Sequence, residues 1–198
     1  MLTRLSPYLV WLVLSLPALS MLSTLVGGDA RAFHGLLHPT GEFSARFMII
    51  GMMATPLMML FRKARFPRWL LKQRRYLGVA AFGYAALHTY VYVVGAGSVA
   101  KIMGEVTRFD MWTGWLAFLI FIPLAATSMD YAVRKMGPAW KSLQRWTYAA
   151  AVLTLLHWAS LHNWNGWVPA AVHFGPLAAL SAYRLWYWYL RPRPAHVA

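Results

Sequence analysis

Six apolar stretches, at about 5–26, 43–61, 76–95, 111–129, 143–161 and 167–190, take up most of the 198 residues. About 20 apolar residues in helical form cross the hydrocarbon of a bilayer, and a soluble core of this size has no room for six such segments. Backbone polar groups in lipid must find partners within their own segment, so stretches of this length are expected to be helical. Only 12% of the residues are charged, against about 25% in soluble domains. The expectation is an all-α integral membrane protein: a six-helix bundle forming one domain over residues 1–198. Pro56, Pro123 and Pro176 lie inside these stretches, which bundled membrane helices tolerate. The first stretch follows Arg4 as in a signal peptide, but its apolar run is too long and no small-residue cleavage site follows cleanly, so it reads as a retained helix.

The net charge of +14 comes from 19 Lys and Arg against 5 acids. A basic excess of that size suggests nucleic acid until the charges are placed. Residues 62–75 carry Arg62, Lys63, Arg65, Arg68, Lys72, Arg74 and Arg75 with no acid. Arg134, Lys135, Lys141 and Arg145 occupy the next even-numbered connection, and Arg184, Arg191 and Arg193 the tail. With Arg4 these place 15 cations on one side, and cation-rich loops stay cytoplasmic. Both termini are therefore expected in the cytoplasm, and six spans satisfy that parity. Membrane lipid, not nucleic acid, is the expected partner of this charge. Within 62–75, Phe66, Trp69, Leu70 and Leu71 alternate with the cations, a pattern suited to lying along headgroups. Trp164 and Trp167 at one end, with Tyr183 and Trp186–Tyr189 at the other, fit the two aromatic belts.

Ionisable residues inside a span are costly, so each is a candidate for function. His34, His38, His162, His173 and His196 fall in or near connections or tails, whereas His88 and His157 fall well inside spans three and five. Both spans run outward. At 1.5 Å per residue His88 sits about 18 Å and His157 about 21 Å up its helix. Two imidazoles at one depth on parallel-running helices are what the axial positions of one porphyrin require; a proton relay or an interhelical hydrogen bond needs the same pairing. Below them, Gly78, Ala81, Ala85 and His88 form one stripe, and Leu143, Thr147, Ala150, Thr154 and His157 another. Small residues of this kind also serve close helix packing. The absence of Cys excludes disulfides, Cys-ligated zinc, iron–sulfur clusters and thioether-linked haem, so a haem here is b-type. No phosphate loop, dinucleotide fingerprint, H-E-x-x-H or nucleophile elbow is present. Glu42 and Arg46 can pair at i, i+4, with Thr40 or Gly41 as the cap of span two. Two functions stay open on the residues alone. One is haem-mediated electron transfer; the other is a proton-coupled transporter with His88 and His157 as relay groups, although no internal repeat of the transporter kind is evident.

The order of motifs resembles the MsrQ (YedZ) family, haem-binding membrane subunits of a periplasmic methionine sulfoxide reductase system, within the ferric reductase-like transmembrane group. The likeness covers about residues 34–160. It runs from His38-Pro39-Thr40-Gly41-Glu42 with Arg46, through Thr55-Pro56-Leu57, to Arg74-Arg75-Tyr76-Leu77-Gly78 and Leu87-His88. It continues through Ala126-Thr127-Ser128 to Gly137, Trp140, Leu143, Tyr148 and His157. The resemblance implies a multi-pass protein of the bacterial inner membrane with haem b and FMN. Its implied donor is a cytoplasmic flavin reductase or a quinol, and its implied acceptor a periplasmic molybdenum-cofactor methionine sulfoxide reductase subunit that carries the substrate chemistry. His88 and His157 match the haem-ligand positions; Arg74 and Arg75 match the basic pair that is a candidate for an FMN phosphate. His38, at the outer mouth, is a further candidate. The chain departs from the family at Gln144, where a His is usual, so neither Gln144 nor Arg75 offers an inner iron ligand and one haem per chain is expected.

Overall fold

The computed structural model describes residues 2–26 and 30–191; Arg193 and His196 lie outside them. The order is α1 (Leu2–Val26), α2 (Ala30–Leu60), α3 (Arg65–Ala96), α4 (Val99–Glu105), α5 (Phe109–Ala126), α6 (Asp130–Met136), α7 (Pro138–Gln144), α8 (Thr147–Trp164) and α9 (Trp167–Leu185), ending in a π-helical turn, Trp186–Leu190. No strand occurs among the described residues. Four helices are long and apolar enough to cross a membrane: Tyr8–Val26, Arg31–Leu60, Arg65–Ala96 and Phe109–Ala126. The remaining two long helices, α8 and α9, carry His157, His162, Asn163, His173 and Arg184, which lower their hydropathy.

Five helices close into a ring. α2 packs on α3 and α9, α3 on α5, α5 on α8, and α8 on α9. The main core draws on all five, from Ala45, Met48 and Ile49 through Ala81, Phe121 and Ala150 to Trp158, Ala170 and Phe174. Alanines at the closest approaches let backbones meet, which is how helices associate where lipid removes the hydrophobic drive. α1 lies outside the ring against α2 and α3. Leu14 and Met21 are its buried apolar residues, while Leu9, Leu12, Val13, Leu16 and Leu19 face outward. An apolar exterior of this kind has lipid as its solvent.

Three expected boundaries move. α2 begins at Ala30, so Thr40 and Gly41 lie inside the helix and cap nothing, and Pro39 sits within it. Pro39 has no N–H and its ring crowds the preceding turn. In that turn the carbonyls of Leu36 and Leu37 take side-chain donors, which offsets the disturbance. α3 begins at Arg65, so most of the basic segment is helix. Pro67 fits a first turn that needs no N–H, and Pro67, Leu70, Gln73 and Leu77 form a buried face that extends the helix backward. The fifth stretch divides into α7 and α8, and α8 reverses sharply where His162, Asn163 and Trp164 adopt positive φ.

α1 is tied to the ring by an inserted hydroxyl. Ala18 N–H donates to Tyr84 Oη at 2.8 Å, and Tyr84 O–H donates to the Leu14 carbonyl at 2.9 Å. A side chain thus bridges one rung of the α1 ladder, one turn around Pro17. No water is available in lipid to take its place. Tyr84→Phe leaves both backbone groups without their partner and should destabilise the protein by about 1–3 kcal/mol. Thermal unfolding in detergent checks this, and an unchanged midpoint would refute the bridging role.

Candidate functional site

His88 on α3 and His157 on α8 stand together, with ring centroids 6.2 Å apart and planes at 77°. Each ring is fixed by a helix on its far side. His88 Nδ1 lies 2.9 Å from the Leu37 carbonyl of α2 and 3.2 Å from Thr40 Oγ1. The Thr40 hydroxyl gives its own hydrogen to the Leu36 carbonyl at 2.6 Å. His157 Nδ1 lies 2.5 Å from the Asp110 carbonyl in the first turn of α5. A carbonyl oxygen only accepts, so both rings carry hydrogen on Nδ1, and in the neutral ring Nε2 holds the lone pair. Metal-binding imidazoles are oriented in this way, with the second nitrogen donating to a carbonyl or carboxylate.

The spacing suits a shared metal. Imidazoles bonded on opposite sides of one ion at about 2 Å each, with about 1 Å more to each ring centre, have centroids about 6 Å apart. Among the described residues no group of three or more His, Asp or Glu is placed to hold a bare metal ion. A pair of imidazoles therefore suits a centre that brings its own equatorial donors, as a porphyrin does.

Two glycines make room for the rings. A Cβ at Gly41 on α2 would stand 3.1 Å from the His88 ring, and one at Gly114 on α5 would stand 2.8 Å from His157 Nδ1. Gly114 and the carbonyls of Leu37 and Asp110 escaped the sequence reading, and Gly41 was read there as a cap and not as room for a ring. The available signal was a lone Gly within each apolar helical pattern.

His38 does not join the pair. It projects from α2 with its side chain 67% exposed, 3.8 Å from Glu42 and edge-on to Trp158 at 6.2 Å. His173, read from the sequence as in or near a connection, lies in the second turn of α9. Its Nδ1–H donates to the Pro169 carbonyl at 2.7 Å, leaving Nε2 to accept from Arg46 Nε at 3.3 Å. In that tautomer its 3.3 Å approach to Glu42 is a contact and not an ion pair. Arg46 also pairs with Glu42 at 2.6 Å, as the i, i+4 spacing anticipated. The His173 ring lies against Trp158 at 4.8 Å, next in sequence to His157.

At the opposite, basic end, Arg74, Arg75, Lys141 and Arg145 share a cavity of about 330 Å³ with Gln144 and Tyr148. The two arginines are not equivalent. Arg75 Nη1 binds Asp130 Oδ1 at 2.5 Å, and this partner holds the Asp130 carboxyl below its usual range. Gln144 is structural, its amide donating to the Leu124 carbonyl near the end of α5 at 3.2 Å.

The family described as ferric reductase like transmembrane component matches residues 40–155, from Thr40 to two residues short of His157. A protein of Brucella anthropi named protein-methionine-sulfoxide reductase heme-binding subunit MsrQ is 32% identical over 75% of this chain and 66% of its own length. Proteins of the same name from Brucella ovis and Brucella suis are 33% identical over 79% of this chain and 70% of theirs. No solved structure matches. A multi-pass membrane protein with a role in electron transfer is what these likenesses support, in preference to a transporter. The chain belongs to the MsrQ family of ferric reductase-like transmembrane proteins.

Proposed function

We propose that the chain holds one haem b through His88 and His157 and carries electrons across the bacterial inner membrane. The donor in this reading is a cytoplasmic flavin reductase or a quinol, with FMN at the basic cavity. The acceptor is a periplasmic molybdenum-cofactor subunit that reduces methionine sulfoxide. The name of the relatives, heme-binding subunit of a protein-methionine-sulfoxide reductase, supports the haem and the reductase system. The single observation that carries the reading is the matched pair of Nδ1–H bonds to the Leu37 and Asp110 carbonyls, with ring centroids 6.2 Å apart. Bound there, a haem supplies one-electron exchange. The chain's own part is to hold both imidazoles in one tautomer, to exclude other ligands and to set the surrounding dielectric. The same reading has six spans, α8 and α9 joining the four strongly apolar helices, with cytoplasmic termini; the 15 cations it gathers on one side support it.

The absorption spectrum and extracted haem of the purified protein test the ligands. One haem per chain is expected. His88→Ala and His157→Ala should each retain less than about a tenth of it, whereas His38→Ala and His173→Ala should keep the spectrum. Full haem in His157→Ala, or a ratio near two, would overturn the assignment.

Gly114→Ala pushes a methyl into the His157 ring and should weaken haem affinity about 10–100-fold, the range for disturbed ligand support. Gly41→Ala, with a contact 0.3 Å longer, should cost less. Haem titration of the apoprotein compares them; equal wild-type affinity in both would show that neither glycine shapes the site.

Arg74 and Arg75 differ in readiness to pair a flavin phosphate. Arg74→Gln should lower FMN content, released and read by fluorescence, more than Arg75→Gln at neutral pH. The Asp130 carboxyl stays ionised well into acid because Arg75 holds its pKa down, so the pair opens only as pH falls through that lowered value. Asp130→Asn frees Arg75 at every pH and should raise flavin content. Unchanged flavin in the Arg74→Gln, Arg75→Gln double variant would leave this cavity without a role in FMN binding.

A further inference from the structure

An open groove of about 480 Å³ lies at the basic end, outside the helix ring's cavity. It runs between the end of α2 with its following connection and the π-helical turn after α9. Its cations are Arg62, Lys63 and Arg191, and no Asp or Glu lines it. Tyr187 gathers two of them. The Arg62 guanidinium lies 5.4 Å and the Arg191 guanidinium 5.0 Å from the centre of that one ring, and Arg62 Nη2 also donates to Tyr187 Oη. Cation–π attraction holds each guanidinium in place, yet two like charges on one ring repel unless an anion lies between them.

The described part of the chain supplies no such anion. Its four acids are committed elsewhere: Glu42 to Arg46, Asp110 to Arg108, Asp130 to Arg75, and Glu105 to the Tyr92 hydroxyl. The complement therefore comes from beyond the described residues, and an anion at the membrane surface is in reach of this end. Beside the cations, Leu60 and Phe61 stand about half exposed at the end of an apolar helix. A ligand that fills both halves joins an anionic head to a hydrocarbon tail. The π turn brings Tyr187 and Arg191 to the groove, closing with Arg191 N–H donating to the Trp186 carbonyl, and π turns of this kind recur at functional sites.

We propose that this groove binds the phosphodiester of an anionic phospholipid, with Arg62 and Arg191 on the phosphate oxygens, Lys63 at its edge, and Leu60 and Phe61 against an acyl chain. The site is separate from the electron-transfer residues and does not depend on their assignment. The same phosphate chemistry is available from free phosphate, and the test separates the two sources.

Native mass spectrometry of the delipidated full chain in detergent, titrated with dioleoylphosphatidylglycerol or dioleoylphosphatidylcholine, reads the preference directly. The anionic lipid should bind at least about fivefold tighter, and Arg62→Gln with Arg191→Gln should weaken it about tenfold or more, as loss of two surface cations predicts. Lys72→Gln with Lys135→Gln removes the same charge from the same end and should change binding less than about twofold. Thermal unfolding in detergent reports that each variant has folded. Should the Arg62, Arg191 variant fail to fold, Lys63→Gln should still weaken the anionic lipid about threefold. No preference in the wild type, equal losses in the two double variants, no change in Lys63→Gln, or full displacement by millimolar inorganic phosphate would each overturn the proposal.

Discussion

The site rests on two hydrogen bonds from ring nitrogens to helix carbonyls. His88 reaches across from α3 to Leu37 on α2, and His157 from α8 to Asp110 on α5. Each bond selects a tautomer, and each also fixes the rotation of a ring that would otherwise have a free torsion. Because the acceptors belong to neighbouring helices, the orientation of each imidazole is set by the packing of α2 on α3 and of α5 on α8. The distance between the rings is set by the contacts of α3 with α5 and of α2 with α8 that join the two pairs. Those two pairings have the most extensive contacts in the protein. Packing and imidazole geometry are thus one constraint, and it explains why glycines face the rings: a side chain at Gly41 or Gly114 would press on the ring it faces.

Charge is arranged with similar economy. Of the four described acids, Asp110 does double duty. Its carboxylate pairs with Arg108 at the start of α5, and its carbonyl takes the His157 hydrogen. An acid in the first turn also suits the positive end of the helix dipole. At the opposite end Asp130 restrains Arg75 while Arg74 stays open to the cavity. Three of the four described carboxylates each occupy one arginine, and the cations they leave open define where anions can bind.

Much of this was legible in the residues. Hydropathy located the long helices, and the depth arithmetic brought together His88 and His157, which lie 6.2 Å apart. Glu42 and Arg46 paired at the spacing that helix geometry dictates. The helix starts were misplaced because hydropathy marks where a segment becomes apolar, not where hydrogen bonding begins. α3 therefore gained a basic, half-amphipathic first third, and α2 a turn containing Pro39. The carbonyls that orient the rings could not be found at all, since every residue has one and only tertiary packing decides which is presented.

Gln144 shows how one departure from a family pattern can be accommodated. Its amide donates to the Leu124 carbonyl, and Trp140 on the same short helix donates to the Thr127 carbonyl at 3.0 Å. Together they dock α7 under the C-terminal end of α5, where carbonyls otherwise lack intrahelical partners. A histidine at this position can make the same bond through one ring nitrogen, so the docking does not need Gln. What Gln lacks is a second ring nitrogen with a lone pair. The substitution thus keeps the helix junction, and Gln144 lines the basic-end cavity beside Arg74, Arg75, Lys141 and Arg145, with Met48, Met52, Phe82 and Phe121 as its apolar wall.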